Sequence, residues 1–410
     1  MHVTGSGRGL EEGRPEALGF SPERLGQLRE TLEDEVARGL MPGAVVLIAR
    51  HGRIAFFEAL GWRDRTAAAP MPRDAIFRIA SMSKPITSVA VMTLVEQGRI
   101  QLDHPLSVYL PRFEHVRVAV PRSRGTGEGP AFDLVRPARP PTVHDLLRHT
   151  AGFTYQFFDT AVAHLYRAAD LRGRDLSNAE LADALAALPL AFEPGSGWNY
   201  SHATDLLGRV VEVVSGQSLL EWERERILEP LGLIDTSFWI EDRSRHGRVA
   251  EPAPADDVAF GTRLHDPRRP RTGQMGGSGM QSTALDYARF LQMLLNGGAL
   301  EGRRVLSPPT VRFMTSDHLG ERIGPGPTQY LPGPGYGFGL GFAVRRSWGE
   351  APHAGPPGLY CWAGSAGTLF WCDTVHDLLT VFLAQAPGQL ARWMTLVPSL
   401  VYAALVEPDT

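Results

Sequence analysis

Lysine is almost absent from this chain of 410 residues. The sequence holds 41 lysines and arginines, and because only Lys84 is a lysine, the other 40 are arginines. Arginine stays protonated under physiological conditions and cannot act as a base, whereas lysine loses its proton once its surroundings lower its pKa. A lone lysine three residues after Ser81 therefore indicates either a role in proton transfer or the chance remainder of an arginine bias.

An excess of positive charge is also missing, in spite of the arginines. The 45 acidic residues outnumber the 41 basic ones, and the formal net charge is −4. Proteins that bind nucleic acid generally carry a basic excess, so a nucleic-acid partner is not expected. The arginine clusters at 263–271 and 303–304 are interpreted as solvated loops.

Cysteine and long apolar runs are scarce. Cys361 and Cys372 are too few for a disulfide framework, and we expect two free thiols in a reducing cytoplasm, with one bridge as the alternative. No apolar run is long enough to cross a bilayer, and the polar residues 1–16 lack the apolar core of a secretory signal. The histidines show no spacing typical of metal ligands. We therefore expect a cytoplasmic protein that has no membrane contact, no metal and no other cofactor.

The secondary-structure pattern places strands at both ends of the chain and helices in the middle. It predicts an α+β fold with a discontinuous sheet domain (1–97 with 281–410), whose antiparallel sheet is flanked by helices, and a mainly helical domain (98–280). Capping boxes begin at Thr142 and Ser177. The predicted strands are 43–50, 53–62, 337–344, 359–362, 368–372 and 378–385; the predicted helices are 21–39, 82–97, 203–214, 218–228, 283–296 and 388–406; and 121–141 is predicted to be a long loop.

Ser81 and Lys84 form a candidate nucleophile and base. Ser81 lies where a strand-like segment, 75–79, gives way to the predicted helix 82–97, and the positive end of the helix dipole favours negative charge there. Lys84 is one turn further on, so both side chains can share a face, and a neutral amine could take the proton of Ser81. An isolated Ser-x-x-Lys is by itself more typical of an N-cap followed by a surface charge. Ser83 is a second candidate nucleophile.

The pentapeptide Gly-x-Ser-x-Gly of conventional serine hydrolases does not occur. The segment most similar to it is Ala363-Gly364-Ser365-Ala366-Gly367, which joins two predicted strands rather than a strand and a helix. A nucleophile elbow is therefore not expected, and the backbone of this turn should matter more than the Ser365 hydroxyl.

Five motifs, in this order and spread over nearly the whole chain, resemble those of serine β-lactamases and penicillin-binding proteins. The subgroup that they resemble most is the class C β-lactamase-like carboxylesterases known as family VIII. The motifs are Ser81-Met82-Ser83-Lys84, Leu146-Leu147-Arg148-His149-Thr150-Ala151-Gly152, Trp198-Asn199-Tyr200-Ser201-His202, Gly276-Gly277-Ser278-Gly279-Met280-Gln281-Ser282-Thr283 and Trp362-Ala363-Gly364-Ser365.

Two departures from the β-lactamase pattern concern the substrate. Trp362 stands where β-lactamases have the lysine of Lys-Thr-Gly, which holds the carboxylate of the substrate. His202 replaces the Asn of Tyr-x-Asn, which meets the acylamino group. Both changes remove charged or amide recognition and favour neutral esters over penicillins.

The resemblance implies a β-lactamase-like fold, an active site between the two domains and a carboxylesterase that hydrolyses short-chain neutral esters. Ser81 would attack the ester, Lys84 would accept its proton, and Tyr200 would relay it to the leaving group. The backbone N–H groups of Ser81 and Ser365 would form the oxyanion hole. The implied substrate-binding residues are Trp362, Ala363, Gly364, Tyr155, His202 and Phe158.

Three alternatives keep the same fold. The acyl group could pass to an alcohol rather than to water, or the enzyme could be a weak β-lactamase or D,D-peptidase. A non-catalytic scaffold is a further alternative, which the intact Ser81, Lys84 and Tyr200 disfavour. The expected partner is a small-molecule ester, and the sequence does not indicate an oligomeric state.

Overall fold

A computed structural model describes residues 10–122, 132–254 and 256–406. The polar segment at the start of the chain and part of the predicted loop 121–141 lie outside the described residues. Within the described ranges, none of the helices combines the length and the apolar character needed to cross a membrane.

A nine-stranded sheet forms the framework and takes its strands from both ends of the chain. The order is β1-β3-β2-β9-β8-β7-β6-β5, with β4 paired to β3 off this path. Neighbouring strands are antiparallel except β1 and β3, which are parallel, so the sheet departs from the prediction only at this edge. The strands are β1 (Glu11–Glu12), β2 (Gly43–Arg50), β3 (Arg53–Asp64), β4 (Ala69–Pro70), β5 (Tyr336–Phe338), β6 (Ala343–Arg345), β7 (Tyr360–Gly364), β8 (Thr368–Asp373) and β9 (Leu378–Ala384).

Helices cover the sheet and fill the middle of the chain. The central strand β2 is buried along its whole length, as expected for a strand covered on both faces. The first and last helices pack against each other, the ninth contacts β2 and β9, and the sixth packs on the second. The helices are α1 (Pro22–Ala37), α2 (Ser83–Glu96), α3 (Val143–Leu147), α4 (Ala161–Ala168), α5 (Asn178–Ala186), α6 (Ala203–Ser215), α7 (Leu219–Glu223), α8 (Glu229–Leu231), α9 (Ala284–Leu295), α10 (Pro308–Met314) and α11 (Leu390–Ala404).

The α+β fold with an antiparallel, helix-flanked sheet is confirmed, as are the capping boxes at Thr142 and Ser177. The domain boundaries after residues 97 and 280 stay a prediction.

Two local predictions were wrong. The predicted loop contains part of a hairpin, because Val118–Pro121 pairs with Phe132–Val135. The predicted strand 337–344 is two strands with a turn between them, where Gly341 has a φ of +98°. The predicted helix 218–228 is confirmed as helical structure, but its type changes after α7, where the π-helix Arg224–Leu228 follows.

Helix α2 connects the sheet side of the molecule to the helical side. Every residue from Ser83 to Leu94 is buried, and a helix that is buried all round lies in the core of a protein. The helix packs against α6 and α7. Its first turn carries Lys84, so this lysine lies inside the molecule rather than on its surface.

Candidate active site

Ser81 is held at the start of α2 by a short ladder to a distant part of the chain. Phe77–Arg78 pairs with Gln281–Ser282, and the N–H of Ile79 donates to the carbonyl of Met280 over 3.1 Å. Ser81 follows in a 3₁₀ turn that leads into the helix. Ala80 has a φ of +45°, a conformation that L-residues adopt at a cost and that is often found at functional sites. The backbone therefore turns sharply next to the predicted nucleophile.

Ser83, the second candidate nucleophile, has a structural position. Its side chain is fully buried, and its hydroxyl donates to the carbonyl of Ala80 over 2.7 Å. The same oxygen accepts the N–H of Met280 over 3.0 Å. Because its hydroxyl is buried and both of its hydrogen bonds hold the turn, Ser83 is not available to attack a substrate.

Lys84 lies beside Ser81, as the three-residue spacing predicts. Its Nζ is 3.4 Å from Ser81 Oγ. The same amine donates to the carbonyl of Gly277 over 2.6 Å and lies 3.2 Å from the phenol oxygen of Tyr155. It also lies over the ring of Tyr200, 4.4 Å from the ring centroid. The lysine is only 1% exposed, so its amine is surrounded by these polar and aromatic groups rather than by solvent.

Burial sets the charge of Lys84. Removal from water lowers its pKa from the usual 10.5 to about 7, while the negative charge of Asp205 raises it and the positive charge of Arg172 lowers it. A pKa near 7 leaves a large share of the amine neutral at neutral pH. Lys84 therefore meets the requirement for a base, which no arginine in the chain could meet.

Tyr200 lies between Ser81 and the last motif. Its phenol oxygen accepts a hydrogen bond from Trp362 Nε1 over 3.3 Å. Burial raises the pKa of Tyr200, and hydrogen bonds with Ser81 and Trp362 oppose that rise. The phenol therefore stays protonated at neutral pH and has a proton to give.

Tyr155 is a second tyrosine at the amine of Lys84, and a buried hydrogen-bonded pair, His202 and Asp205, lies behind it. Its ring packs on that of His202, with centroids 4.4 Å apart. His202 Nδ1 lies 2.8 Å from a carboxylate oxygen of Asp205, and the other oxygen of Asp205 accepts the N–H of Gly277 over 2.8 Å. Burial raises the pKa of Asp205, but its hydrogen bonds outweigh this effect and leave the pKa below the usual value. An anionic Asp205 thus fixes the loop whose carbonyl receives Lys84.

The turn after β7 approaches the start of α2 closely. A Cβ on Gly364 would lie 2.2 Å from the carbonyl oxygen of Ile79, so only glycine allows the two backbones to meet here. Among the described residues, the N–H of Ser365 has no backbone or side-chain acceptor. Ser81 and Ser365 line the same cavity. This position suits the predicted oxyanion hole.

Two cavities meet at this turn and differ in character. The first, of about 330 Å³, is mostly apolar; Ser81, Tyr200, Trp362 and Ala363 line it, together with the loop 331–334 and residues of α11. The second, of about 810 Å³, is rich in arginine and extends from Ala80 past Gln156. Ser365 and Phe260 line both cavities. Volumes of this size are typical of small-molecule sites.

Two predicted substrate-binding residues have other surroundings. His202 is fully buried, lines neither cavity and uses both ring nitrogens, on Asp205 and on Gln156. We therefore infer that His202 supports Tyr155, which corrects the expected contact with substrate. Phe158 packs on Phe157, and it is Phe157 that lines the second cavity.

Three residues that act on Lys84 in the candidate active site were not recognised in that role from the sequence. Tyr155 was expected in the acyl pocket rather than at the amine of Lys84, and no role was expected for Asp205 or Arg172. The three-residue spacing of His202 and Asp205, on one turn of helix, could have indicated their hydrogen bond. Nothing local could have indicated the position of Arg172. In the described part of the chain, no group of three or more His, Cys, Asp or Glu residues is placed to hold a metal ion.

Comparisons with known proteins find relatives over most of the chain. A sequence model of the family described as Beta-lactamase matches residues 28–395. Protein Rv1367c of Mycobacterium tuberculosis is 36% identical over 358 residues, which cover 85% of this chain and 86% of that protein. Esterase EstB of Burkholderia gladioli is 32% identical over 393 residues, which cover 90% of this chain and 92% of that protein.

A solved structure supports the same assignment. It is described as EstCE1, a hydrolase with promiscuous acyltransferase activity, and its sequence is 29% identical to this chain. The alignment has a TM-score of 0.78 and covers 95% of this chain and 99% of that one. The predicted β-lactamase-like fold is therefore confirmed.

Proposed function

The chain belongs to the Beta-lactamase family, and from this premise we propose that it is a serine carboxylesterase of the family VIII type. It would cleave carboxylic esters through a covalent acyl-enzyme on Ser81. The names of two similar proteins, an esterase and a hydrolase with acyltransferase activity, support ester chemistry over other reactions of the family.

The observation that carries the proposal is the buried amine beside the serine. Lys84 Nζ lies 3.4 Å from Ser81 Oγ, and burial lowers the pKa of Lys84 to about 7. A neutral amine at hydrogen-bond distance from a hydroxyl is the arrangement that general-base activation requires.

The reaction follows from these positions. Ser81 Oγ attacks the ester carbonyl while its proton passes to Lys84, and the backbone N–H groups of Ser81 and Ser365 stabilise the oxyanion. The bond to the alcohol then breaks, and Tyr200 gives its proton to the departing alkoxide and regains one from Lys84. A water molecule attacks the acyl-enzyme by the reverse route, which releases the acid and restores Ser81.

The surroundings of Trp362 favour esters over penicillins. Its indole is 9% exposed and forms part of an apolar wall at the position where β-lactamases carry a lysine. Burying an apolar alcohol in such a cavity lowers the free energy of binding. The carboxylate of a penicillin would instead lose its hydration there without gaining a cationic partner. Short-chain esters with apolar alcohols are therefore the predicted test substrates.

Acyl transfer to an alcohol is a second candidate. The apolar cavity that would release the first alcohol lies beside Tyr200 and could admit another alcohol in its place. The description of EstCE1 supports this option. Analysis of the products formed from p-nitrophenyl butyrate in the presence of an acceptor alcohol would separate transfer from hydrolysis.

Replacement of the serine tests the central claim. We expect Ser81→Ala to lose hydrolysis of p-nitrophenyl butyrate by at least about 1000-fold, because Ser81 has the only serine or threonine hydroxyl among the described residues that is hydrogen-bonded to Lys84. Mass spectrometry of the parent protein under turnover should find the acyl group on the peptide that holds Ser81. Ser316→Ala, on the surface at the end of α10, serves as the control and should keep full activity.

Two results would contradict the proposal. Equal rates for Ser81→Ala and the parent would remove Ser81 from the mechanism. Efficient hydrolysis of nitrocefin by the parent would instead place the activity among β-lactamases and overturn the interpretation of Trp362.

A further inference from the structure

The second cavity is strongly basic, although the chain as a whole is slightly acidic. It joins the catalytic turn at Ala80 and Ser365. Five arginines and one carboxylate line it, which gives a formal charge of +4 (5 − 1). These residues are Arg78, Arg167, Arg172, Arg263, Arg271 and Asp170.

Four of these arginines already have partners within the protein. Arg78 and Arg263 pair with Glu251 and Asp257 at 3.2 Å and 2.7 Å. Arg167 donates to two backbone carbonyls, and Arg271 lies 3.7 Å from Asp175. Their charges are at least partly compensated.

Arg172 is different. Among the residues that the structure describes, it has no hydrogen bond or ion pair, although it is partly buried. Asp170 does not pair with it either; the carboxylate of Asp170 lies against the turn at Gly173, where a Cβ would come within 2.3 Å of an Oδ atom. A partly buried guanidinium without a partner is costly unless a ligand provides the anion.

The charge of Arg172 reaches the catalytic groups. It lowers the pKa of Lys84, and it has the same effect on Tyr155 and Tyr200, where it opposes the larger effect of burial. Arg172 also lines the same cavity as Ala80 and Ser365 of the catalytic turn, so one substrate molecule can reach both.

The position of Tyr200 decides which part of the substrate enters the basic cavity. Tyr200 lines only the apolar cavity, and in the proposed mechanism it protonates the departing alcohol. The alcohol must therefore lie on that side. The acyl group extends from the other side of the carbonyl carbon, past Ser365 and Ala80, into the arginine-lined cavity.

We propose that the preferred substrates are monoesters of dicarboxylic acids, whose free carboxylate is bound by Arg172 while their apolar alcohol lies against Trp362. This rests on the proposed esterase function and replaces the neutral acyl group expected from the sequence. A guanidinium can bind a carboxylate through two parallel hydrogen bonds, and a cavity of about 810 Å³ accommodates a dicarboxylic chain.

A matched series of esters tests the proposal. The p-nitrophenyl monoesters of adipic, pimelic and suberic acid are compared with p-nitrophenyl hexanoate, heptanoate and octanoate. We expect the parent to prefer the acidic member of at least one pair about tenfold or more in kcat/KM. The preference should decrease as salt concentration rises, because it is partly electrostatic.

Variants of the arginine locate the effect. At a pH well above 7, where Lys84 is deprotonated with or without the charge of Arg172, Arg172→Gln should lower kcat/KM for the preferred acidic ester about ten- to a hundredfold more than for its matched neutral ester, mainly through KM. Arg172→Lys should recover part of the preference. Arg174→Gln, an exposed arginine two residues further on that does not line the cavity, is the control and should match the parent.

The outcomes separate this proposal from the proposed function. If the neutral esters are hydrolysed and Arg172→Gln leaves the ratio of acidic to neutral rates unchanged, the basic cavity is not the acid-binding site and the esterase proposal stands. If no ester is hydrolysed, binding decides: Ser81→Ala is titrated calorimetrically with monomethyl adipate and methyl hexanoate. Tighter binding of the acid, lost in the double variant with Arg172→Gln, would support the carboxylate site, and equal binding would overturn it.

Discussion

The charge of Lys84 is determined by groups that act on it in opposite directions. Burial among Tyr155, Tyr200 and Gly277 lowers its pKa, and Arg172 lowers it further, while Asp205 raises it. The balance leaves a pKa of about 7 rather than a fully suppressed charge. At the residue scale, function therefore depends on a charge balance and not only on the presence of an amine.

The pH dependence of the esterase should reveal this balance. Because the neutral amine is the base, kcat/KM for p-nitrophenyl butyrate should fall about tenfold per pH unit below pH 7 and level off above it. Lys84→Arg should lose about 100- to 10,000-fold at every pH, since guanidinium does not deprotonate.

Asp205→Asn provides a second test of the pH profile, because it removes the negative charge that raises the pKa of Lys84. We expect its acid limb to move to lower pH than in the parent. An unchanged limb in this variant, or an active Lys84→Arg protein, would show that another group titrates in the profile.

At the scale of elements, α2 carries Lys84 in its first turn, and its next turn contacts a buried carboxyl group of α7. Thr87 Oγ1 lies 3.1 Å from Glu223 of α7 and 3.0 Å from the carbonyl of Gly276. Burial raises the pKa of Glu223 to about 8. A neutral Glu223 can donate to Thr87, which in turn donates to Gly276, so the proton helps to hold the glycine loop that receives Lys84.

Glu223 should make the fold sensitive to pH. Between its ordinary pKa of 4.5 and the raised value of about 8, the unfolded chain loses the proton while the folded chain keeps it, so stability falls as pH rises through this window. Glu223→Gln removes this contribution. Relative to that of the parent, the free energy of unfolding of this variant, measured with denaturant, should rise by about 2–4 kcal/mol as the pH is raised from 5 to 8.

The exposed Glu225, two residues further on, provides the matched control. Glu225→Gln should follow the parent at both pH values. If Glu223→Gln also follows the parent, then Glu223 is ionised in the folded protein and its burial does not suppress the charge.

At the scale of the whole molecule, the two ends of the chain close the structure together. Ser21 at the start of α1 donates its N–H to the carbonyl of Ala404 in α11 over 2.9 Å, and Phe20 pairs with Leu405. Among the described residues, one large cluster of buried apolar side chains includes both the sheet and the helical middle, and Ile76, Ile240 and Val249 form a small separate cluster. The cavities at Ser81 lie within this continuous body, so the catalytic geometry depends on both chain ends.

Trp393 of α11 tests this closure. It is fully buried and packs on Phe382 of β9, with ring centroids 5.8 Å apart. We expect Trp393→Ala to lower the free energy of unfolding by about 3–5 kcal/mol and to keep a single transition, since the large cluster includes both the sheet and the helical middle. Ser399→Ala, on the exposed side of α11, should stay within about 0.5 kcal/mol of the parent. A second transition would instead favour two domains that unfold independently.

Prediction from the sequence succeeded where the determining contacts are local. Strand β2 and the N-cap Ser21 follow from apolar runs and capping chemistry within a few residues. It failed where a distant segment decides. Gly341 ends a predicted strand with a φ of +98°, and it lies so near Ser88 of α2 that a Cβ would come within 2.4 Å of the Ser88 hydroxyl. Ser83 is unavailable because Met280 donates to its hydroxyl.

The sequence by itself determined that Ser81 and Lys84 face each other, because residues three apart on a first helical turn share a face. It also determined that one lysine alone could be the base and that no Lys-Thr-Gly motif could exist. Only the tertiary structure decided that the amine is buried with a pKa near 7, that Tyr155 and Asp205 lie around it, and that Arg172 lines the basic cavity without a partner among the described residues. The reason is physical: spacing along a helix is fixed by backbone geometry, whereas burial and charge depend on segments that only folding brings together.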